Sequence, residues 1–336
     1  MFNFSGNKKI LCPYCLTETH YRKEISKCPA CSAEFPPLYI EKADQAQPCF
    51  AQIIGWSQVG KTVFLQSLTL MLSVIGRYWR QNYNFAAQTD DTLSYMRNIN
   101  EFLANGTMPP RTTRNVQDAY IMGLYGMERW GSRTLVMRDV AGESFNQLNF
   151  PIDQVPYLMY VPTVLMMVSI RDMEDRVKTM DQLMNGYFNT LLKNEKVLKD
   201  AQKRNYHRIQ RKVVVVMSKA DLIFNELPSN LQNYLQTDPF SAALDNPQSV
   251  NPVNIAYMQE YMDKLGRVSE AIRDYVDQDS FGHNMIQFAK DNNILLRYSM
   301  ISSTGKEVGK DNTLGSRVQP MRVLDPFFWT LELQSK

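Results

Sequence analysis

Gly55-Trp56-Ser57-Gln58-Val59-Gly60-Lys61-Thr62 is the stretch on which the reading of this chain turns. It has the form GxxxxGK[ST], in the setting that gives the form a physical meaning. The apolar run Cys49-Phe50-Ala51-Gln52-Ile53-Ile54 before it has strand length, with Cys49 as a small core residue. After it, Val63, Leu65, Leu68, Leu72 and Ile75 recur at helical spacing. Between strand and helix the glycines let the backbone wrap, so that successive N–H groups from Gly55 through Ser57, Gln58, Val59 and Gly60 to Val63 face a phosphate. The helix N-terminus adds its dipole. Lys61 places a cation between the β- and γ-phosphates, and the Thr62 hydroxyl is a Mg²⁺ ligand.

Three further segments sit at predicted strand ends. The run Thr134 to Arg138 leads into Asp139-Val140-Ala141-Gly142. Val213 to Met217 reads as a fully buried parallel strand and leads into Ser218-Lys219-Ala220-Asp221. Ile294 to Ile301 leads into Ser302-Ser303-Thr304-Gly305-Lys306. Strand ends are where ligands bind in an open α/β sheet. In this order the four segments resemble the P-loop, DxxG, NKxD and SAK elements of TRAFAC-class (Ras/Arf-like) GTPases, over roughly Pro48 to Gln334. The resemblance implies that Asp139 holds Mg²⁺ through water and that the Gly142 N–H senses the γ-phosphate. It also implies that Ser302, Ser303 and Thr304 form the loop whose backbone meets guanine O6. Asp221 offers two carboxylate oxygens to guanine N1–H and N2–H₂, a pair of donors that adenine lacks, and the Lys219 stem covers the base plane. Ser218 stands where the family pattern has Asn. The fold class expected is α/β, a Rossmann-like three-layer sandwich of the P-loop NTPase kind with helical insertions.

The resemblance also implies a switch threonine before the strand Tyr120 to Leu124. The segment Asn105-Gly106-Thr107-Met108-Pro109-Pro110-Arg111-Thr112-Thr113 fits by position, with Thr112 the candidate Mg²⁺ ligand and Thr113 and Thr107 behind it. Glu143 follows the DxxG-like element where many Ras-like proteins have Gln. It is either the group that orients water or a solvated switch residue. Arg111 resembles the cis arginine finger of Gα-type proteins, or is a surface arginine beside Arg114. Slow hydrolysis without a partner is the expectation.

Ahead of this core stand Cys12-Pro13-Tyr14-Cys15 and Cys28-Pro29-Ala30-Cys31, which hold four of the five cysteines. Paired CxxC turns present four thiolates at tetrahedral spacing, as in a zinc ribbon. Four cysteines close the coordination shell, so the metal is structural. His20, Arg22, Lys23 and Lys27 make the segment mildly basic without indicating nucleic acid. A ribbon ahead of such a core is similar to the double-GTPase-type proteins of bacterial conflict or defence systems. The expected layout is a ribbon over 1–35, a linker over 36–48 and a nucleotide domain over 49–336, with helical insertions near 77–105 and 223–290.

Composition supports one large core plus a small attachment, with 336 residues, 44% hydrophobic and 21% charged, and a net charge of +3. That balance dictates neither a nucleic-acid nor a membrane partner. Met1 is followed by a polar stretch with no apolar signal region, and the run Val161 to Ile170 is too short to span a bilayer, so a cytoplasmic protein is expected. Val177, Met180, Met184, Phe188, Leu191 and Leu192 mark one face of a long helix. Its basic continuation to Lys212 is a solvated end or a surface for an acidic partner or nucleic acid. The partners implied are guanine nucleotide and a protein effector or complex subunits. A hydrolysing switch, a nucleotide-loaded structural or interaction subunit with little turnover, and an ATPase all remain open at this stage.

Overall fold

The computed structural model describes residues 8–21, 26–76, 78–79, 83–109, 119–145, 155–170, 180–202, 210–245, 252–309, 311 and 313–335. Its N-terminal part is a two-stranded antiparallel hairpin, β1 (Lys8–Leu11) and β2 (Glu18–Tyr21). The 36–48 stretch, expected as a linker, instead carries the short helix α1 (Pro37–Lys42). Pro37 sits in its first turn, where the missing N–H costs nothing. Tyr39 of α1 is buried, and its hydroxyl donates to the Leu11 carbonyl at 2.6 Å, which fastens the hairpin to the body of the protein.

The body is built around β3 (Gln47–Gly55), followed by α2 (Lys61–Ile75), β4 (Asn84–Ala87), α3 (Asp90–Arg97), α4 (Ile99–Asn105), β5 (Tyr120–Met127) and β6 (Gly131–Ala141). Then come α5 (Val155–Tyr160), β7 (Thr163–Ser169), α6 (Met180–Gln202), β8 (Lys212–Ser218), α7 (Ser229–Gln236) and α8 (Ala242–Asp245). The chain closes with α9 (Ile255–Asp277), α10 (Ser280–Asp291), β9 (Leu295–Met300) and α11 (Leu324–Gln334). Seven strands form one sheet in the order β4-β5-β6-β3-β7-β8-β9. From β6 to β9 the pairing is parallel, while β4 and β5 pair antiparallel at one edge. Helices cover the sheet in a three-layer α/β/α arrangement, as parallel strands buried on both faces require. Helix α2 packs with α11 in one layer, and α6 packs with α5 and α10.

The long helices lie where the periodicity places them. On α6, Met180, Met184, Phe188 and Leu191 are buried, whereas Leu192 is exposed and Val177 lies outside the described residues. The stretch 77–105, read as helical, also contains β4, which adds an edge strand beyond β5. Its four residues, Asn84 to Ala87, are too few for alternation to be visible. Among the described residues no helix is long and apolar enough to cross a membrane.

The core gathers around Phe328 of α11, whose ring lies 5.3 Å from Trp130, 5.5 Å from Phe240 and Phe327, 5.7 Å from Tyr261 and 6.3 Å from Trp79. Offset and edge-on aromatic packing of this kind adds to simple area burial. Next to it, the buried Asp325 carboxylate accepts from both Tyr234 and Tyr261 hydroxyls, and Arg322 donates to the Tyr234 and Thr237 carbonyls. This polar knot ties α7, α9 and α11 together. Phe328→Ala is expected to cost about 3–5 kcal/mol of unfolding free energy, read as a lower midpoint in chemical denaturation.

Candidate functional site

Because β3, β6, β8 and β9 all run the same way, the segments that follow them emerge at one edge of the sheet. The phosphate loop begins at Gly55, where a Cβ would lie 2.6 Å from the Met167 carbonyl oxygen and 2.8 Å from Val59 Cγ2. No side chain fits there. Gln58 and Gly60 take φ of 71° and 94°, so the backbone reverses twice before α2 starts at Lys61. The Lys61 ammonium donates to the Gly55 and Trp56 carbonyls at 2.7 and 3.1 Å and lies 3.9 Å from Asp139 Oδ1. Both side chains are nearly buried, at 10% and 7% exposure, so their fields are weakly screened. Thr62 follows at the start of α2 beside them.

The Asp139 strand brings Gly142 against the same loop. A Cβ on Gly142 would meet the Gly55 carbonyl carbon and the Trp56 nitrogen at 3.0 Å, so glycine is what lets the two backbones touch. Glu143 comes next, and its Oε1 accepts from the Ser57 N–H at 2.8 Å. Burial raises the pKa of this carboxyl, but the Ser57 amide, its own N–H and the Lys61 charge outweigh that and hold it below the usual range.

The third group gathers the residues expected to meet the base. The Ser218 hydroxyl is within hydrogen-bonding reach of the Val59 carbonyl at 2.8 Å and the Val168 carbonyl at 3.2 Å, so it bridges the phosphate loop and β7. Lys219 has φ 59°, a left-handed turn that swings the chain so that Asp221 meets Ser302. The Ser302 hydroxyl donates to Asp221 Oδ1 and accepts from the Gly305 N–H at 2.8 Å. Burial raises the Asp221 carboxyl above its usual range, against the lowering effect of Ser302. The Ser303 carbonyl accepts from Ser67 of α2 at 2.6 Å, and the buried Thr304 donates to the Lys306 carbonyl at 2.8 Å.

The structure therefore places Gly55, Ser57, Gln58, Val59, Gly60, Lys61, Thr62, Val63, Asp139, Gly142 and Glu143 at one end of this edge. Ser218, Lys219, Asp221, Ser302, Ser303 and Thr304 form the adjoining part. Arg111, Thr112 and Thr113 lie outside the described residues, and Thr107 is exposed just after α4. Two contacts escape the sequence reading. One is the Ser57–Glu143 bond. The other is the Arg138 side chain, which donates to the Tyr14 carbonyl of the hairpin at 2.9 Å.

The four N-terminal cysteines converge as their spacing suggests. Cys12 Sγ lies 3.8 Å from Cys31 Sγ, Cys15 Sγ lies 3.7 Å from Cys28 Sγ, and all four lie within 4.8 Å of one another. A tetrahedral zinc with bonds of about 2.3 Å has sulfur–sulfur edges of about 3.8 Å. The two knuckles repeat one geometry. Cys12 N–H donates to Thr17 and Cys28 N–H to Ala33, with Leu16 and Ser32 both at positive φ.

A phosphate loop, a carboxylate at the neighbouring strand end and a half-buried aspartate beside the last strand are those of an α/β phosphate-loop protein of the GTP-binding class. A model of the Double-GTPase 2 family matches residues 50–274, and the chain belongs to that family. Among solved structures it is similar to the signal recognition particle receptor SRb–GDP from Chaetomium thermophilum. The identity is 11% over 78% of this chain and 94% of that one, with a TM-score of 0.30. It is also similar to the S. cerevisiae Ski7 GTPase-like domain bound to GDP and inorganic phosphate, with 11% identity over 89% of this chain and 53% of that one and a TM-score of 0.35. No curated protein matches the chain.

Gly142→Ala should push the phosphate loop aside and weaken GTP binding roughly tenfold, the lower part of the ~1–3 kcal/mol that overpacking costs. Calorimetry on a variant with an unchanged circular-dichroism spectrum checks this. Metal analysis of purified protein should find about one zinc per chain, and Cys12→Ser combined with Cys28→Ser should abolish it.

Proposed function

We propose that this chain is a Mg²⁺-dependent GTPase that works as a molecular switch, a regulatory subunit of a multi-protein assembly of the kind bacterial defence systems encode. The observation that carries the reading is the position of Asp221. It is held by Ser302 on one side, and Ser218 in the same turn is tied to the phosphate loop on the other. Base and phosphate sites are thereby fixed relative to each other. A half-buried carboxylate with two acceptor oxygens is complementary to guanine N1–H and N2–H₂. ATP would set an acceptor against it with no compensating donor.

At the phosphate end, Lys61 supplies the cation that faces the β- and γ-phosphates. Thr62 and Asp139 are the residues that would hold Mg²⁺, joined by Thr112 from the switch segment. The metal, when bound, neutralises charge across the β- and γ-oxygens. Arg111 is the candidate for a second cation at the transferring group, and Glu143 for the residue that orients water. A glutamate in that place, engaged with the phosphate loop, favours slow turnover until a partner protein acts on residues 105–115 and 139–150. Zinc on Cys12, Cys15, Cys28 and Cys31 supplies the folding free energy of a segment too short to build its own core. The protein is assigned to the cytoplasm, with a protein effector as partner.

The base assignment is tested by calorimetry with GTP, ATP and xanthosine triphosphate. Wild type should prefer GTP over ATP by a factor on the order of 10⁴. Asp221→Asn should lose roughly 100-fold in GTP affinity and gain xanthosine triphosphate binding, because the amide restores the complementary donor. Equal binding of ATP and GTP by wild type overturns the reading.

A further inference from the structure

The Ser57 N–H belongs to the row of loop amides that faces phosphate, and it is already taken by Glu143 Oε1 at 2.8 Å. The other carboxylate oxygen, Oε2, is buried and has no hydrogen-bond partner among the described residues. Lys61, the cation of the loop, stands between the Asp139 carboxylate at 3.9 Å and two loop carbonyls. The backbone that carries the carboxylate is held close to the phosphate loop. The chain neighbour Gly142 packs tightly against Gly55, Trp56 and Leu183, where an added Cβ would lie 3.0 Å from each. The phosphate loop thus carries an internal anion of its own, a charged acceptor where the ligand brings charged acceptors.

We infer that Glu143 is a specificity-determining residue that biases this site toward the guanosine diphosphate over the triphosphate. The inference rests on the guanine-nucleotide reading above. A diphosphate ends one phosphate sooner and leaves the Ser57–Glu143 bond in place. A γ-phosphate brings further negative oxygens to the same amides and must displace the carboxylate, against like-charge repulsion and with loss of a charge-assisted hydrogen bond. Glutamine at this position offers the same amide an uncharged acceptor, so charge rather than shape sets the preference. The resting form of the protein is the diphosphate form, and a partner that draws Glu143 off Ser57 favours triphosphate loading.

The test is calorimetric titration of the full chain, in Mg²⁺, with GDP and with a non-hydrolysable GTP analogue. Wild type should bind GDP the more tightly. Glu143→Gln and Glu143→Ala should each move the ratio of the two affinities toward the triphosphate by roughly tenfold, the equivalent of one charge-assisted hydrogen bond. A ratio unchanged in Glu143→Gln overturns the inference while leaving guanine binding intact. Failure of wild type to bind either nucleotide removes the guanine reading, and the inference with it.

Discussion

At Gly55 three backbones meet with no side chain between them. The Met167 carbonyl of β7 closes in from one side, within 2.6 Å of where a Cβ would be. From the other, Gly142 lies so near that its own Cβ would touch the Gly55 carbonyl carbon and the Trp56 nitrogen. This hard-sphere convergence follows from in-register parallel pairing, which sets Gly55 beside Ala141 and, three rows earlier, Gln52 beside Arg138. The phosphate loop is therefore located by repulsion between main chains, which is short-ranged and steep, and does not depend on side-chain rotamers. Lys61, Asp139 and Glu143 inherit their positions from it.

The base end is fastened to the phosphate end through polar atoms. Ser218 occupies the place where the resembling motif has asparagine, yet its short hydroxyl reaches both Val59 and Val168 carbonyls. One hydroxyl proton serves one of these carbonyls at a time, and to reach either it needs the strand end and the phosphate loop to be close. Ser67 of α2 makes the complementary link to Ser303. The nucleotide site is thus one continuous hydrogen-bonded edge, with the helix that starts the phosphate site also holding the base loop.

The parallel strands, the phosphate loop and the cysteine knuckles were legible because each is written locally. Apolar runs of strand length end in residues whose chemistry is fixed by spacing, as in Val213 to Asp221. Helices α9 and α10 lie in the stretch 223–290 read as a helical insertion. What was hidden depends on neighbours far along the chain. β4 exists because β5 offers it an unpaired edge, and nothing in Asn84 to Ala87 announces that. The Ser57–Glu143 bond joins positions separated by 86 residues, and a glutamate after the DxxG-like element says only that a glutamine is missing. Tyr39, in a segment that reads as linker, is buried because the hairpin folds back over it.

Arg138 and Asp139 are consecutive on β6, and consecutive residues of a strand face opposite sides of the sheet. One reaches the carbonyl of Tyr14, between the first two cysteines, and stacks its guanidinium 5.2 Å from the Tyr157 ring. The other stands 3.9 Å from the Lys61 ammonium. A force that lifts the hairpin strips a buried guanidinium of an acceptor, at a cost of about 1–3 kcal/mol, and it does so one peptide unit from the nucleotide site. The four-cysteine knuckle is in this sense a weight hung on the far side of a lever whose near arm is the Asp139 carboxylate beside Lys61.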